Sequence, residues 1–326
     1  MKRFLLRAAV VALAISIGLY LANTSLLGPA MTGKPTLLAH RGLAQTFPSE
    51  GVENDTCTAS RMRPPEHPYL ENTIASMHAA FAAGADIVEF DVHPTTDGKF
   101  AVFHDWTIDC RTNGKGVTRE KSLAELKALD IGYGYTADGG KTYPFRGTGV
   151  GLMPSLDEVL TAFPDKRFLV HVKSRDAEEG KKLAARLSEL PEGDRARLMV
   201  YGDDTPLAAL RETLPEVRMM GRGTFLRCLT RYIGLGWSSY VPADCRGTML
   251  LVPANYAGIL WGWPNRFLSR MRAAGTDVFL IGPYTGGEFT TGIDTATDVG
   301  LLPGGYDGGI WTNRIHAIAP LVAGRD

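Results

Sequence analysis

The sequence carries no excess of either charge: 35 lysines and arginines stand against 35 aspartates and glutamates. Beyond Lys2, Arg3 and Arg7 it has no basic run, which argues against nucleic acid as a partner, because backbone phosphates are bound by concentrated positive patches. It has no internal repeat and no low-complexity tract, which excludes a repeat architecture. Cysteine is scarce, at four in 326 residues. There is a single long hydrophobic run, residues 8–22.

That run follows Lys2, Arg3 and Arg7, the pattern of a secretory n-region and h-region. Cleavage signals are poor. Tyr20 occupies the third position before a cut after Ala22, and Pro29 separates Gly28 from Ala30 at the next candidate. An uncleaved signal anchor is favoured over a cleaved signal peptide. In either case the positive-inside bias puts the body of the protein across the membrane, anchored or exported, outside the cytoplasm. The cysteines suit that compartment. Four cysteines allow three pairings; the expected pairs are Cys57–Cys110, both after strands, and Cys228–Cys245, which flank one Gly- and aromatic-rich segment.

Residues 85–93 read as a buried strand rich in Ile and Val, bounded by Gly84 and Pro94. Strand side chains alternate, so Glu89 and Asp91 share one face while Val88, Phe90 and Val92 share the other. Two carboxylates on one face of an apolar strand repel each other and resist desolvation. A divalent cation is the simplest remedy; a surface strand with a polar side is the alternative.

Along the chain, residues 23–35 read as a linker and 36–42 as a strand. A helix is expected over 73–83, with Asn72 as N-cap and Gly84 as stop. Further strands are expected at 100–105, 168–174, 198–202, 217–221, 248–252, 277–281 and 309–313. Helices are expected at 122–129, 155–163, 176–190, 206–214 and 264–274, the second of these opened by a Ser155/Glu158 capping box. Alternating strands and helices fit a βα array. The pattern divides the chain into residues 1–35, signal segment plus linker, and 36–326, an α/β TIM (β/α)8 barrel. Nine strand candidates are one too many for eight staves, and 248–252 is the one expected outside the barrel.

His40, Glu89, Asp91, His104, His171 and Lys173 all lie in or at the C-terminal ends of these strands, the active face of a βα barrel. The order of motifs, His40-Arg41-Gly42, Glu71-Asn72-Thr73, Glu89-Phe90-Asp91-Val92, Thr96-Asp97-Gly98 and Val102-Phe103-His104-Asp105, resembles the glycerophosphodiester phosphodiesterase family. Residues 168–173 resemble its strand ending in Glu-x-Lys, and 307–314 its closing strand. The resemblance implies a phospholipase-C-like phosphodiesterase barrel. It implies His40 and His104 as general acid and base, Glu89 and Asp91 as metal ligands, and Arg41 on the phosphate. Lys173 is expected on the phosphate or a metal ligand, and Trp311 in the substrate pocket or the barrel core. In the family, a glycerol hydroxyl is thought to attack phosphorus first, giving a cyclic phosphate that water opens.

The sequence departs from the family where His171 stands in place of the usual third carboxylate. Mg²⁺ or Ca²⁺ is implied by the resemblance; an imidazole ligand moves preference toward Mn²⁺ or Zn²⁺. His171 can instead be a packed barrel residue. The expected activity is hydrolysis of glycerophosphodiesters to an alcohol and glycerol phosphate. The alternatives are a phospholipase-like, sphingomyelinase-D-like activity on intact lipids and a non-catalytic, membrane-anchored phosphate- or lipid-binding module. The expected partners are a glycerophosphodiester or lipid head group and, through the N-terminal segment, a membrane. Trp106, Tyr133, Tyr135 and Phe145 flank a lipid entrance or pack within loops.

Overall fold

The computed structural model describes residues 1–53, 55–286 and 291–325. Among these, the strands are β1 (Thr36–His40), β2 (Ile87–Pro94), β3 (Phe100–Val102), β4 (Arg167–Val172), β5 (Leu198–Gly202), β6 (Arg218–Gly221), β7 (Met249–Pro253), β8 (Asp277–Ile281) and β9 (Gly309–Thr312). Eight of them form a parallel sheet in the order β6-β5-β4-β2-β1-β9-β8-β7. The sheet curls into a barrel that is nearly closed. At the remaining seam, Thr248 Oγ1 donates to Met219 O at 2.6 Å, joining the foot of β7 to β6.

The strand outside the barrel is β3, not residues 248–252. Those residues contribute β7, which pairs in parallel with β8. β2 runs past the barrel rim to Pro94, turns at Gly98 (φ 75°), and β3 folds back antiparallel on it. A short apolar strand looks the same in sequence whether it is a stave or a hairpin arm.

The helices are α1 (Lys2–Asn23), α2 (Ile74–Ala82), α3 (Leu123–Lys127), α4 (Leu156–Ala162), α5 (Ala177–Ser188), α6 (Glu192–Arg195), α7 (Asp204–Thr213), α8 (Arg222–Leu235), α9 (Asn265–Ala273), α10 (Ala296–Gly300) and α11 (Ile315–Ala323). Capping boxes open α2, α3, α4 and α10. The cap of α2 is Thr73, one residue beyond the expected Asn72, which instead takes a left-handed conformation at φ 59°. α1 has no buried residue and is long and apolar enough to cross a membrane.

Three apolar clusters follow from strand alternation and the β2–β4 connection. Leu37, Ala39, Val88, Phe90 and Val170 face outward under the helices. Leu38, Ile87, Leu169, Met199, Met249 and Trp311 fill the barrel interior. A separate lobe, with Met62, Phe103, Ile108, Leu126, Tyr135 and Phe145 at its centre, packs the long segments before α2 and after β3 together. Cys57–Cys110 closes that lobe, and Cys228–Cys245 ties α8 to the loop before β7; both expected pairs are bonded.

Candidate active site

Parallel register carries the inward-facing residues to one level at the C-terminal end. His40 of β1 lies opposite Glu89 of β2; Asp91 lies opposite His171 of β4, and His171 opposite Tyr201 of β5. Beneath them the same faces carry Leu38, Ile87, Leu169 and Met199, a closed apolar floor. Glu89 and Asp91 therefore sit at the boundary between core and mouth, and both are fully buried.

Each carboxylate is densely partnered. Glu89 Oε2 accepts from the Arg41 backbone N–H at 3.0 Å, and its Oε1 from the Tyr201 hydroxyl at 2.7 Å. Asp91 Oδ2 accepts from Asn72 Nδ2 at 3.0 Å, and Asn72 Oδ1 accepts in return from the Asp91 backbone N–H at 3.2 Å. Asp91 Oδ1 is 2.8 Å from His171 Nδ1 and 3.8 Å from Lys173 Nζ. Burial and the neighbouring Asp91 raise the pKa of Glu89. Burial would raise Asp91 too, but His104, Arg41 and Lys173 pull it well below the ordinary carboxylate range. Two adjacent acids pushed apart in this way share less than two full charges.

Two imidazoles flank the carboxylates in matching poses. His40 Nδ1 donates to Asn313 Oδ1 at 2.5 Å, and its Nε2 accepts from Arg41 Nε at 3.2 Å. His104 Nδ1 donates to Asp105 Oδ1 at 2.7 Å, and its Nε2 accepts from Lys173 Nζ at 3.1 Å. The partners thus assign both rings the neutral tautomer with Nε2 as acceptor. Burial, with Arg41 nearby, lowers each histidine's pKa to about 3. Arg41 lies 3.4 Å from Asp91 and Lys173 lies 3.8 Å from it, so a continuous path runs from His40 through two cations to His104.

The surroundings hold these groups in place. Burial disfavours the charge on Arg41, but Glu71, at 2.9 Å, and Asp91 more than offset it. Arg111 spans the second lobe: it reaches Asp105 Oδ2 at 2.9 Å, Glu71 Oε2 at 3.0 Å and Thr58 Oγ1 at 2.7 Å. Asp294 holds the Asn313 side chain at 2.7 Å, and Asn313 holds His40. Arg41 and Asn72 both have φ 59°, a left-handed conformation costing about 1–3 kcal/mol for a non-glycine residue. Gly42 follows at φ 75°, where a Cβ would lie 2.6 Å from Ser76 Oγ.

The structure thus brings His40, Arg41, Glu89, Asp91, His104, His171 and Lys173 into one cluster. Trp311 lies one layer lower, 1% exposed, with its ring centroid 4.9 Å from that of His40. Glu71, Asn72, Asp105, Arg111, Tyr201 and Asn313 were not expected there. Tyr201 was detectable as the inward position of a strand already delimited. Arg111 and Asn313 act through side chains distant in sequence, Glu71 and His40, whereas Asp105 acts on the adjacent His104; strand periodicity carries no sign of these pairings. Tyr135 and Phe145 are buried in the second lobe, whereas Trp106 and Tyr133 remain partly exposed.

One ligand atom each from Glu89, Asp91 and His171 lie within 4.8 Å of one another. Because His171 Nδ1 is committed to Asp91, its Nε2 keeps a lone pair. His171 stacks on Tyr201, with centroids 4.1 Å apart, and burial with Lys173 nearby lowers its pKa to about 4, so the ring is neutral. A neutral imidazole and two buried carboxylates suit a divalent cation.

A sequence model of the glycerophosphoryl diester phosphodiesterase family matches residues 40–207. A glycerophosphodiester phosphodiesterase of Caldanaerobacter subterraneus is 42% identical over 103 residues, 32% of this chain and 39% of that protein. One from Bacillus subtilis is 37% identical over 125 residues, 36% of this chain and 41% of that protein. The aligned stretches thus span about two fifths of these relatives' lengths. Among solved structures, the glycerophosphoryl diester phosphodiesterase domain of an uncharacterized Mycobacterium tuberculosis protein superposes with a TM-score of 0.61 at 16% identity, over 88% of this chain and 98% of that one. An Oleispira antarctica phosphodiesterase, solved with its product sn-glycerol-3-phosphate, superposes with a TM-score of 0.56 at 19% identity, over 89% of this chain and 97% of that one. The structural likeness establishes the shared barrel. The family match spans the strands that carry His40, Glu89, Asp91, His104 and His171, and by that match the chain belongs to the glycerophosphoryl diester phosphodiesterase family.

Proposed function

We propose that this protein hydrolyses glycerophosphodiesters to an alcohol and glycerol phosphate, with a divalent cation held by Glu89, Asp91 and His171. The observation that carries the reading is the pairing of two neutral imidazoles with two cations. Arg41 Nε and Lys173 Nζ each donate to the Nε2 of a histidine, His40 and His104 respectively. A phosphodiester monoanion between Arg41 and Lys173 offers both cations better acceptors in its oxygens. Their shift toward it frees both Nε2 atoms to handle protons. One imidazole takes the proton of the attacking hydroxyl as the new P–O bond forms. The other, as imidazolium, gives a proton to the departing alkoxide as the old P–O bond breaks. The anion raises the pKa of the histidines beside it, which suits the acid role. A bound cation would supply charge neutralisation to the phosphoryl oxygens. Trp311 supports the His40 ring from below.

The catalytic barrel is proposed to lie outside the cytoplasm, attached through α1. The test is turnover by the purified protein of glycerophosphocholine and of intact phosphatidylcholine, with and without chelator. Glycerol phosphate released from glycerophosphocholine, and lost on chelation, is the expected result. Cleavage of the intact lipid alone would favour the phospholipase-like reading, and binding without turnover of either would make the protein a non-catalytic module.

A further inference from the structure

Helix α1 leaves the barrel from a built socket. The carbonyls of its last turn are taken by two arginines of α9: Arg270 Nη2 donates to Ala22 O at 2.9 Å, and Arg266 Nη2 to Leu21 O at 3.2 Å. Asn23 Nδ2 donates to Trp237 O at 2.8 Å, just beyond α8, and Ser25 Oγ to Trp263 O at 2.6 Å. Trp263 belongs to the loop that leaves the C-terminal end of β7. Trp237 follows the end of α8, and Arg266 and Arg270 belong to α9, so α1 is rooted against the outer flank formed by α8 and α9.

Exposed apolar surface surrounds the root. Leu226, Ile233 and Trp237 repeat at helical spacing and share one face along α8 and its extension. They are 51%, 39% and 44% exposed. Ile259 and Trp261 of the β7–α9 loop are likewise exposed. The two parts are fastened together: Trp261 Nε1 donates to Ile233 O, and the Tyr232 hydroxyl to Trp261 O, both at 2.8 Å. Single exposed apolar residues need no explanation, but here a stripe runs on continuously into a 22-residue apolar helix with nothing buried along it. Tryptophan, an apolar ring with one polar edge, suits the bilayer interface.

We propose that the stripe Leu226–Ile233–Trp237, with Ile259 and Trp261, docks on the surface of the lipid bilayer that receives α1. The barrel is then seated with its α8–α9 flank at the interface rather than swinging on a free tether. The occupant is a bilayer because Asn23, the last residue of the apolar helix, is already bonded to Trp237; a membrane holding α1 lies directly against the stripe. The inference rests on the anchor reading given above.

The test uses the full chain in lipid nanodiscs containing phosphatidylcholine brominated near the top of its acyl chains. Tryptophan fluorescence is compared among wild type, Trp237→Phe, Trp261→Phe and the double variant; phenylalanine preserves apolar bulk. Bromolipid is expected to quench the wild type. Each single variant should lose part of that quenching and the double variant most of it, while Trp106→Phe, a change in the second lobe, leaves it unchanged. Equal fractional quenching in wild type and every variant, with the chain retained in the discs through alkaline carbonate, would overturn the docking surface and leave the anchor standing. Loss of the chain from the discs in carbonate would overturn the anchor, and the proposal with it.

Discussion

The chemistry of the mouth is set by how individual charges are partnered. Asp91 is held ionised by Arg41, Lys173 and the hydrogen bond from His171, while Glu89 is pushed toward its neutral form and receives the Tyr201 hydroxyl. In the proposed ligand set His171 is an imidazole where a carboxylate would add negative charge. His171→Glu is therefore expected to shift activation toward Mg²⁺ or Ca²⁺ relative to Mn²⁺ or Zn²⁺. Half-saturating concentrations for each ion, titrated into apo-protein, check this; unchanged values would remove His171 from the ligand set. A second expectation concerns pH. The pKa of His104 falls from an ordinary 6.5 to about 3 on folding, chiefly through burial. As pH drops below 6.5 the unfolded chain takes up a proton that the folded one refuses, so stability is lost from there down toward pH 3. For this one ring the loss is about 2 kcal/mol by pH 5. Urea unfolding at pH 7 and pH 5 should show His104→Gln losing less stability on acidification than wild type by roughly that amount. At this scale the sequence was largely legible. His40, Glu89, Asp91, His104 and His171 are polar residues at ends of apolar strands, a local contrast. Asn313 and Arg111 are not legible in that way because their importance lies in which distant side chain they touch, His40 and Glu71.

Among the elements, the second lobe is the part least like a bare barrel. It delivers His104 and Asp105 from the hairpin arm β3, and Arg111 fastens both Asp105 and Glu71 to it. Cys110 adjoins Arg111 and is bonded to Cys57 across 53 residues. In the chain-entropy picture, closing a loop of that length restricts the unfolded state by about 4 kcal/mol. Cys57→Ser/Cys110→Ser should lower unfolding stability by roughly 2–4 kcal/mol. It should also lower kcat, since it loosens the Arg111–Asp105 support of His104, and raise KM, since Arg111 holds Glu71 against Arg41, proposed to bind the phosphate. A variant as stable and active as wild type would show the lobe to be held by its apolar centre alone. Cap signals read well here, as at Ser155 with Glu158. α8 is not apparent in the sequence because Gly223, Gly234, Thr224, Thr230 and Ile233 are poor helix formers; burial of Cys228 and Tyr232 against the core holds it helical. The strand outside the barrel, β3 rather than the expected 248–252, is not identifiable from sequence because apolar runs reveal burial, not parallel or antiparallel pairing.

On the scale of the whole molecule, the alternation of strands and helices suffices for a barrel, and the structure adds the seam between β6 and β7 and the rooting of α1 against α8 and α9. The motif-bearing half coincides with the family match over residues 40–207; the later strands contribute mainly floor and wall, where many apolar residues serve equally well. The proposed reaction needs two imidazoles beside Arg41 and Lys173 to carry out its proton transfers, one neutral as base and the other, protonated once the anionic substrate is bound, as acid. The most direct measurement is phosphorus NMR of glycerophosphocholine incubated with full-length wild type, His40→Ala or His104→Ala at saturating divalent cation, with circular dichroism to confirm folding. Expected are glycerol phosphate from the wild type and a fall of about 10²–10⁴-fold in turnover for each folded variant. Turnover close to wild type in either variant would contradict it.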